Sequence, residues 1–197
     1  EGMIVSSYAL GAHTSYIYVR GEMMPQIRIL EQAIAEAKAA GLLGDNILGT
    51  GYNLEIYVQP GGGAYICGEE TALLESLEGK RGNPRIKPPF PAIAGLYGCP
   101  TVVNNVESIA ATVPIINDGG EEYAKIGIER STGTKLISAS GNINKPGVYE
   151  IELGVSVEEF IYSDEYCGGI ANGKRLKALV AGGSSVPILP ANLITKT

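Results

Sequence analysis

Residues 61 to 70 read Gly-Gly-Gly-Ala-Tyr-Ile-Cys-Gly-Glu-Glu. Three consecutive glycines let backbone approach a ligand with no Cβ in the way, directly ahead of a helix start whose first N–H groups lack partners. A flat or anionic group could lie there. The run is not a P-loop, because no Gly-Lys-Ser/Thr follows, and Gly63 to Gly68 does not make the Gly-x-Gly-x-x-Gly dinucleotide fingerprint. Its distinguishing feature is Glu69-Glu70 at the mouth. Two carboxylates repel a phosphate but accept hydrogen bonds from ribose, ribityl or carboxamide groups. Local physics leaves a second role open, in which they only complement the helix dipole.

A second constellation is Lys87-Pro88-Pro89-Phe90-Pro91. Prolines held in an extended form present Phe90 with little entropy left to lose on stacking against an adenine or nicotinamide face. The competing role for Phe90 is a plug at the edge of a core. Arg81, Arg85 and Lys87 alternate along the same stretch, where they could meet phosphates or an acidic partner, or form a solvated basic loop. Asn104-Asn105 is the third constellation: amide donors at a helix start suit one phosphate group, and simple capping by Asn104 explains them equally well. Three ligand-type features within one α/β region together point to a nucleotide cofactor.

The elements around them follow from periodicity. Glu1 to Leu10 reads as the end of a helix stopped by Gly11. Ser15 to Arg20 is rich in aromatic and β-branched residues, Ile27, Leu30, Ala33, Ile34 and Ala37 follow helical spacing up to Gly41, and Leu54 to Val58 is a second strand. Residues 15 to 58 are therefore a parallel strand–helix–strand unit, and the class is α/β. A helix from Glu70 to Glu78 is closed by Gly79, and the proline-rich stretch from 80 to 100 is an ordered, extended surface loop. Helical character resumes at Val106, with Asn104 as N-cap and Glu107 completing a capping-box variant, and ends at Asp118-Gly119-Gly120. From Gly133 short β segments take over: Lys135 to Ser140, a Gly141-Asn142 turn, and Val148 to Glu152. A short helix opened by Ser156-Val157-Glu158-Glu159 and a strand from Leu176 to Ala181 complete a β-grasp pattern.

Composition narrows the partners. A net charge of −6 argues against a phosphate-dominated nucleic-acid surface. No apolar run approaches the ~20 residues that span a bilayer, and the first residues, beginning Glu1-Gly2-Met3, have no basic-then-apolar export pattern, so a soluble cytosolic chain with no membrane insertion is expected. Cys67, Cys99 and Cys167 lack metal-ligand spacing and the chain has a single His, so no metal is expected within it, and each cysteine is read as a buried or half-buried free thiol.

The stretch from Gly63 to Arg81, with Lys87-Pro88-Pro89-Phe90-Pro91 and Pro100 to Glu107, closely resembles the flavin subunit of respiratory NADH:quinone oxidoreductase, complex I. The resemblance covers essentially the whole chain. It implies a partial Rossmann-like FMN-binding domain over residues 1–132, then a soluble-ligand-binding β-grasp domain over 133–197 whose C-terminal end need not be complete. The implied activity is hydride transfer from NADH to FMN, followed by one-electron transfer to a [4Fe–4S] cluster on the way to quinone. The cofactor-binding set it implies is Gly63, Tyr65, Gly68, Glu69, Glu70, Phe90, Val103, Asn104, Asn105 and Ser108. Within it Tyr65, Gly68, Glu69 and Glu70 lie along the flavin and nicotinamide, Phe90 stacks on the adenine, and Asn104, Asn105 and Ser108 hold the FMN phosphate end. Ser108 replaces the family's usual Thr and keeps the hydroxyl. No side chain need act as acid or base, because the hydride chemistry belongs to the flavin.

In that family a further glycine-rich flavin loop precedes the region matched by Glu1, and the cluster cysteines follow the β-grasp domain. The chain is accordingly expected to be an internal piece, inactive and without a cluster by itself. Implied neighbours are the thioredoxin-like [2Fe–2S] subunit and the large iron–sulfur subunit, on the inner face of the energy-transducing membrane. Two alternatives stay open: the diaphorase subunit of an NAD-reducing hydrogenase or formate dehydrogenase, and a non-catalytic assembly or ligand-binding module.

Overall fold

The protein's structure, a computed structural model, describes residues 1–183 and 185–194. The chain divides into two compact units, Glu1–Val113 and Pro114–Thr197.

In the first unit, helix α1 (Gly2–Leu10) stops where Gly11 takes a left-handed φ of 67°, a conformation that costs glycine nothing. Strand β1 (Thr14–Val19), helix α2 (Met24–Ala39) and strand β2 (Glu55–Pro60) follow. The strands are parallel, in register from Thr14↔Glu55 to Val19↔Pro60, as the strand–helix–strand reading expects. The core beneath them is Leu43, Ile47, Leu54 and Ile56, packed by Ile17 of β1, Ile34 and Ala37 of α2, and Met3 and Ile4 of α1. Burying an aliphatic side chain as fully as Leu54 stabilises by roughly 1.5–3 kcal/mol.

Both strands end side by side, and two loops leave from that end, residues 20–23 and 61–64. The loops meet backbone to backbone: the Gly61 N–H donates to the Val19 carbonyl at 2.7 Å, and a Cβ built at Gly21 would stand 2.3 Å from the Gly61 carbonyl oxygen. A short 3-10 turn, Tyr65–Gly68, then leads into helix α3 (Glu70–Leu77). The stretch after Gly79 is irregular until helix α4 (Pro91–Ala94), so the extended loop expected there folds back on itself in its second half. The Lys87–Pro88 and Pro88–Pro89 peptide bonds are cis.

Helix α5 (Val106–Asp118) starts as expected, but Asn105 rather than Asn104 caps it. The Asn105 Oδ1 accepts the Glu107 N–H at 2.8 Å, and its carbonyl accepts the first helical bond, from Ile109. Glu107 is the second residue of the helix, and an N-cap side chain reaches the N–H at that position.

In the second unit, α5 gives way at Gly119 to a further short helix, α6 (Gly120–Tyr123), and a hairpin of β3 (Gly127–Ile128) and β4 (Ser131–Thr132), none of which the pattern foretold. Strands β5 (Thr134–Ala139) and β6 (Gly147–Glu152) pair antiparallel, with Thr134 opposite Glu152. Helix α7 (Val157–Tyr162) is capped by Ser156, whose hydroxyl oxygen accepts the Glu159 N–H at 3.1 Å, the serine half of the predicted capping box. Tyr149, Phe160 and Tyr166 pack edge-on and tilted beside it, at centroid separations of 5.5–6.1 Å. Strands β7 (Ala178–Val180) and β8 (Ile188–Pro190) form another antiparallel pair before helix α8 (Ala191–Ile194). Among the described residues the strands of this unit pair two by two.

Candidate functional site

The start of α3 is organised by Glu69. Its Oε2 accepts the N–H groups of Thr71 and Ala72, both at 2.9 Å, and the Thr71 hydroxyl at 2.6 Å. These bonds, that of Thr71 first, hold the Glu69 carboxyl below the usual carboxylate range. One oxygen of Glu69 thus does the capping that the dipole reading assigned to both acids. The other, Oε1, lies 3.4 Å from the Lys87 ammonium, which also pairs closely with Glu70 Oε1. Those carboxylates hold the Lys87 ammonium above its ordinary range, Glu70 foremost. The helix mouth therefore presents two carboxylates bridged by one cation, all partly open to solvent.

Two exposed aromatic rings flank these residues in sequence. Tyr65 is fully exposed at the head of the 3-10 turn, and Phe90 is 55% exposed, three residues past Lys87. The core-plug role for Phe90 is thereby set aside. Its backbone carbonyl starts α4 by accepting from Ile93 and Ala94, while buried Pro91 anchors the turn beneath it.

The basic loop residues are not a phosphate-facing row. Arg85 turns inward: its Nε donates to Glu75 at 2.5 Å, its Nη2 to Glu78 at 2.6 Å and its Nη1 to the Gly95 carbonyl at 2.8 Å. Glu78 also accepts from Lys80 at 2.7 Å and from the Tyr97 N–H at 2.8 Å. Lys80 and then Arg85 lower the Glu78 pKa to about 2. The periodicity of the loop could not show this, because its partners sit 7 to 19 residues away. Thr71, 1% exposed, is a further residue sequence reasoning passed over. A hydroxyl in the first turn of the helix, in line with Glu75 and Glu78, was its only signal.

The glycine run is seated by Tyr18 of β1, whose ring would clash with a Cβ at Gly61, 2.8 Å from the hydroxyl. Tyr18 shares a hydrogen bond with Ser76 at 2.9 Å, and burial pushes its phenol pKa up. A Cβ at Gly62 or Gly68 would meet nothing within 4 Å, so the run faces open space there. Gly63 takes a φ of 90°. Asn104, Asn105 and Ser108 are exposed at the start of α5, with Val103 half-buried ahead of them. No hydrogen bond among the described residues joins these four to the Glu69–Glu70 mouth. Of the cysteines, Cys67 and Cys167 are buried, whereas Cys99 is exposed, contrary to the expectation for all three. Its place after a tight 3-10 turn at the surface accounts for this. Among the described residues no group of three or more His, Cys, Asp or Glu could hold a metal ion, and no helix is long and apolar enough to cross a membrane.

Parallel strands that end at a glycine-rich loop ahead of a helix start are the arrangement of the α/β flavin-binding class. The chain belongs to the Nuo51 FMN-binding domain family, which matches residues 1–114. It is 54% identical over 189 residues to the F subunit of the NADH-quinone oxidoreductase of Mycobacterium bovis, covering 96% of this chain and 42% of that protein. To the mitochondrial NADH dehydrogenase [ubiquinone] flavoprotein 1 of Dictyostelium discoideum it is 52% identical, covering 98% of this chain and 40% of the other. Among solved structures, an NAD+-reducing [NiFe]-hydrogenase in the H2-reduced state superposes with a TM-score of 0.77 at 36% identity, over 96% of this chain and 31% of that one. The chain spans less than half the length of these relatives.

Proposed function

We propose that this chain is part of the flavoprotein subunit of an NADH dehydrogenase of the NADH:quinone oxidoreductase type, and that its own residues hold FMN and NADH. The observation that carries this is the α3 mouth, where one lysine bridges an acid pair directly after a glycine run open to solvent, with exposed aromatic residues close in sequence at Tyr65 and Phe90. Donor chemistry fits both ligands. Glu70 Oε2 and the second lone pairs of the paired carboxylate oxygens suit ribose hydroxyls or a carboxamide, Lys87 suits an oxygen acceptor, and Phe90 and Tyr65 offer faces for stacking. Gly63 and Gly68 leave room for a flat ring, Val103 offers an apolar edge, and the α5 start offers N–H groups, Asn104, Asn105 and Ser108 to a phosphate. FMN when bound supplies hydride acceptance and one-electron release. The chain's part is to orient the two ligands and keep water from between them.

On this reading the region from residue 133 is a soluble-ligand-binding β-grasp domain following a flavin-binding domain over residues 1–132. The full subunit carries the [4Fe–4S] cluster, contacts iron–sulfur subunits, and lies peripherally on the inner face of the membrane. A second reading, the diaphorase part of an NAD-reducing hydrogenase, is favoured by the structural match at 36% identity. The test is anaerobic addition of NADH to the purified full-length subunit. Bleaching of visible flavin absorbance in proportion to FMN content is expected. Bound FMN that NADH fails to bleach, or no FMN at all, would leave only an assembly or ligand-binding module.

A further inference from the structure

Between Gly79 and α4 the chain has no strand or helix to fix it, so what ties the stretch ahead of Phe90 to α3 is side-chain bonding. Thr71, Glu75 and Glu78 recur at intervals of four and three along α3 and so share one face. That face is where the loop is fastened. The Arg85 N–H donates to the Thr71 hydroxyl oxygen at 2.8 Å, and the Arg85 guanidinium takes Glu75, Glu78 and the Gly95 carbonyl with its three nitrogens. Arg85 and Gly95 lie five residues before and after Phe90, so a single side chain pins the loop to α3 on both sides of the ring. Thr71 completes the link to the mouth, because its hydroxyl donates to Glu69 Oε2 at 2.6 Å. Further along, Thr101 accepts the Leu96 N–H at 2.9 Å and its own N–H donates to the Pro91 carbonyl at 2.9 Å, which closes the turn that carries Phe90.

We propose that Thr71 and Arg85 are positioning residues: together they fix the Phe90 ring and Lys87 against the Glu69–Glu70 pair, and so set the affinity for NADH without touching it. The inference rests on the reading of Phe90 and the acid pair as the NADH site. All three Arg85 nitrogens already bond within the protein, three of its five N–H donors being used, so its influence is argued to pass through the loop. A lysine cannot replace it, because one ammonium does not reach two carboxylates and a carbonyl from a fixed fork. Holding the ring in place before the ligand arrives removes an ordering cost that NADH would otherwise have to offset.

The experiment is steady-state NADH:ferricyanide kinetics of the full-length flavin subunit at matched FMN content, for Arg85→Gln, Phe90→Ala, the double variant, Thr71→Val and Thr71→Ser. Arg85→Gln should raise the NADH KM about tenfold with kcat near the parent's, the pattern of lost binding rather than lost chemistry. In the Phe90→Ala background the same change should add less than about twofold, because the ring it positions is gone. Thr71→Val should raise KM and Thr71→Ser should restore it. A parental KM in Arg85→Gln beside a raised one in Phe90→Ala, or KM increases that multiply in the double variant, overturns the proposal. A parental KM in Phe90→Ala instead overturns the underlying reading of Phe90. Should Arg85→Gln not fold, the Thr71 pair decides: equal KM values for valine and serine would refute the clamp.

Discussion

Glu78→Gln separates an ion pair that matters from one that only decorates a surface. The Glu78 side chain is 7% exposed and accepts from Lys80, Arg85 and the Tyr97 N–H at 2.6–2.8 Å. Its pKa falls from an ordinary 4.5 to about 2, with Lys80 the largest cause. At roughly 1.4 kcal/mol per unit the ionised form contributes about 3 kcal/mol, which the solvent screening of exposed Lys80 brings nearer 2–3 kcal/mol. Because the folded pKa is depressed, this stability is fully present above about pH 4.5 and is lost as pH falls towards 2. Glutamine keeps the volume and removes the charge. Urea unfolding at pH 7, followed by far-ultraviolet circular dichroism, should show the variant about 2–3 kcal/mol less stable, with an unchanged m-value. By about pH 3 more than half of the gap should have closed. A gap below about 0.5 kcal/mol at pH 7, or one that stays constant from pH 7 to 3, would refute the assignment.

Three further outcomes follow from the same geometry. Phe90→Ala in the full-length subunit should raise the NADH KM by the equivalent of roughly 1–3 kcal/mol of stacking while FMN occupancy is retained; unfolding or loss of FMN would return Phe90 to a core role. Gly21→Ala should lower the melting temperature and the FMN content together, because its Cβ would stand 2.3 Å from a backbone oxygen that cannot swing aside; an unchanged melting curve would show that the two loops part freely. Titration of the native chain with a thiol-specific chromogenic disulfide should modify Cys99 rapidly and Cys67 and Cys167 only after denaturation, and three equal fast phases would contradict the burial pattern.

Much of the first unit was legible because its signals are local. Aromatic and β-branched residues mark β1, apolar spacing marks α2, and Gly11 and Gly79 stop helices by their own φ freedom. The N-cap at Ser156 was readable for the same reason. What escaped depends on contacts distant in sequence. Nothing in the run around Arg85 says that its partners are Glu75, Glu78 and Gly95 rather than a phosphate. Glu69 as a helix cap was hidden because glutamate is a longer side chain than the usual capping residues. The two-residue strands β3 and β4 are too short to show alternation, and α6 too short to show a period. Of the candidate site, the acid pair meets Lys87, whose bridging position no spacing rule supplies. The compact units divide at Val113 and Pro114, inside α5, where a Pro within a continuous helical pattern gave no boundary signal.

The central claim is that the α3 mouth takes NADH, and Glu70 tests it most directly, since its carboxylate is partly exposed and pairs only with Lys87 among the described residues. Glu70→Gln in the full-length subunit should raise the NADH KM severalfold at matched FMN content, while the melting temperature moves by no more than about two degrees, as an exposed pair contributes little to stability. NADH kinetics identical to the parent's would contradict the account.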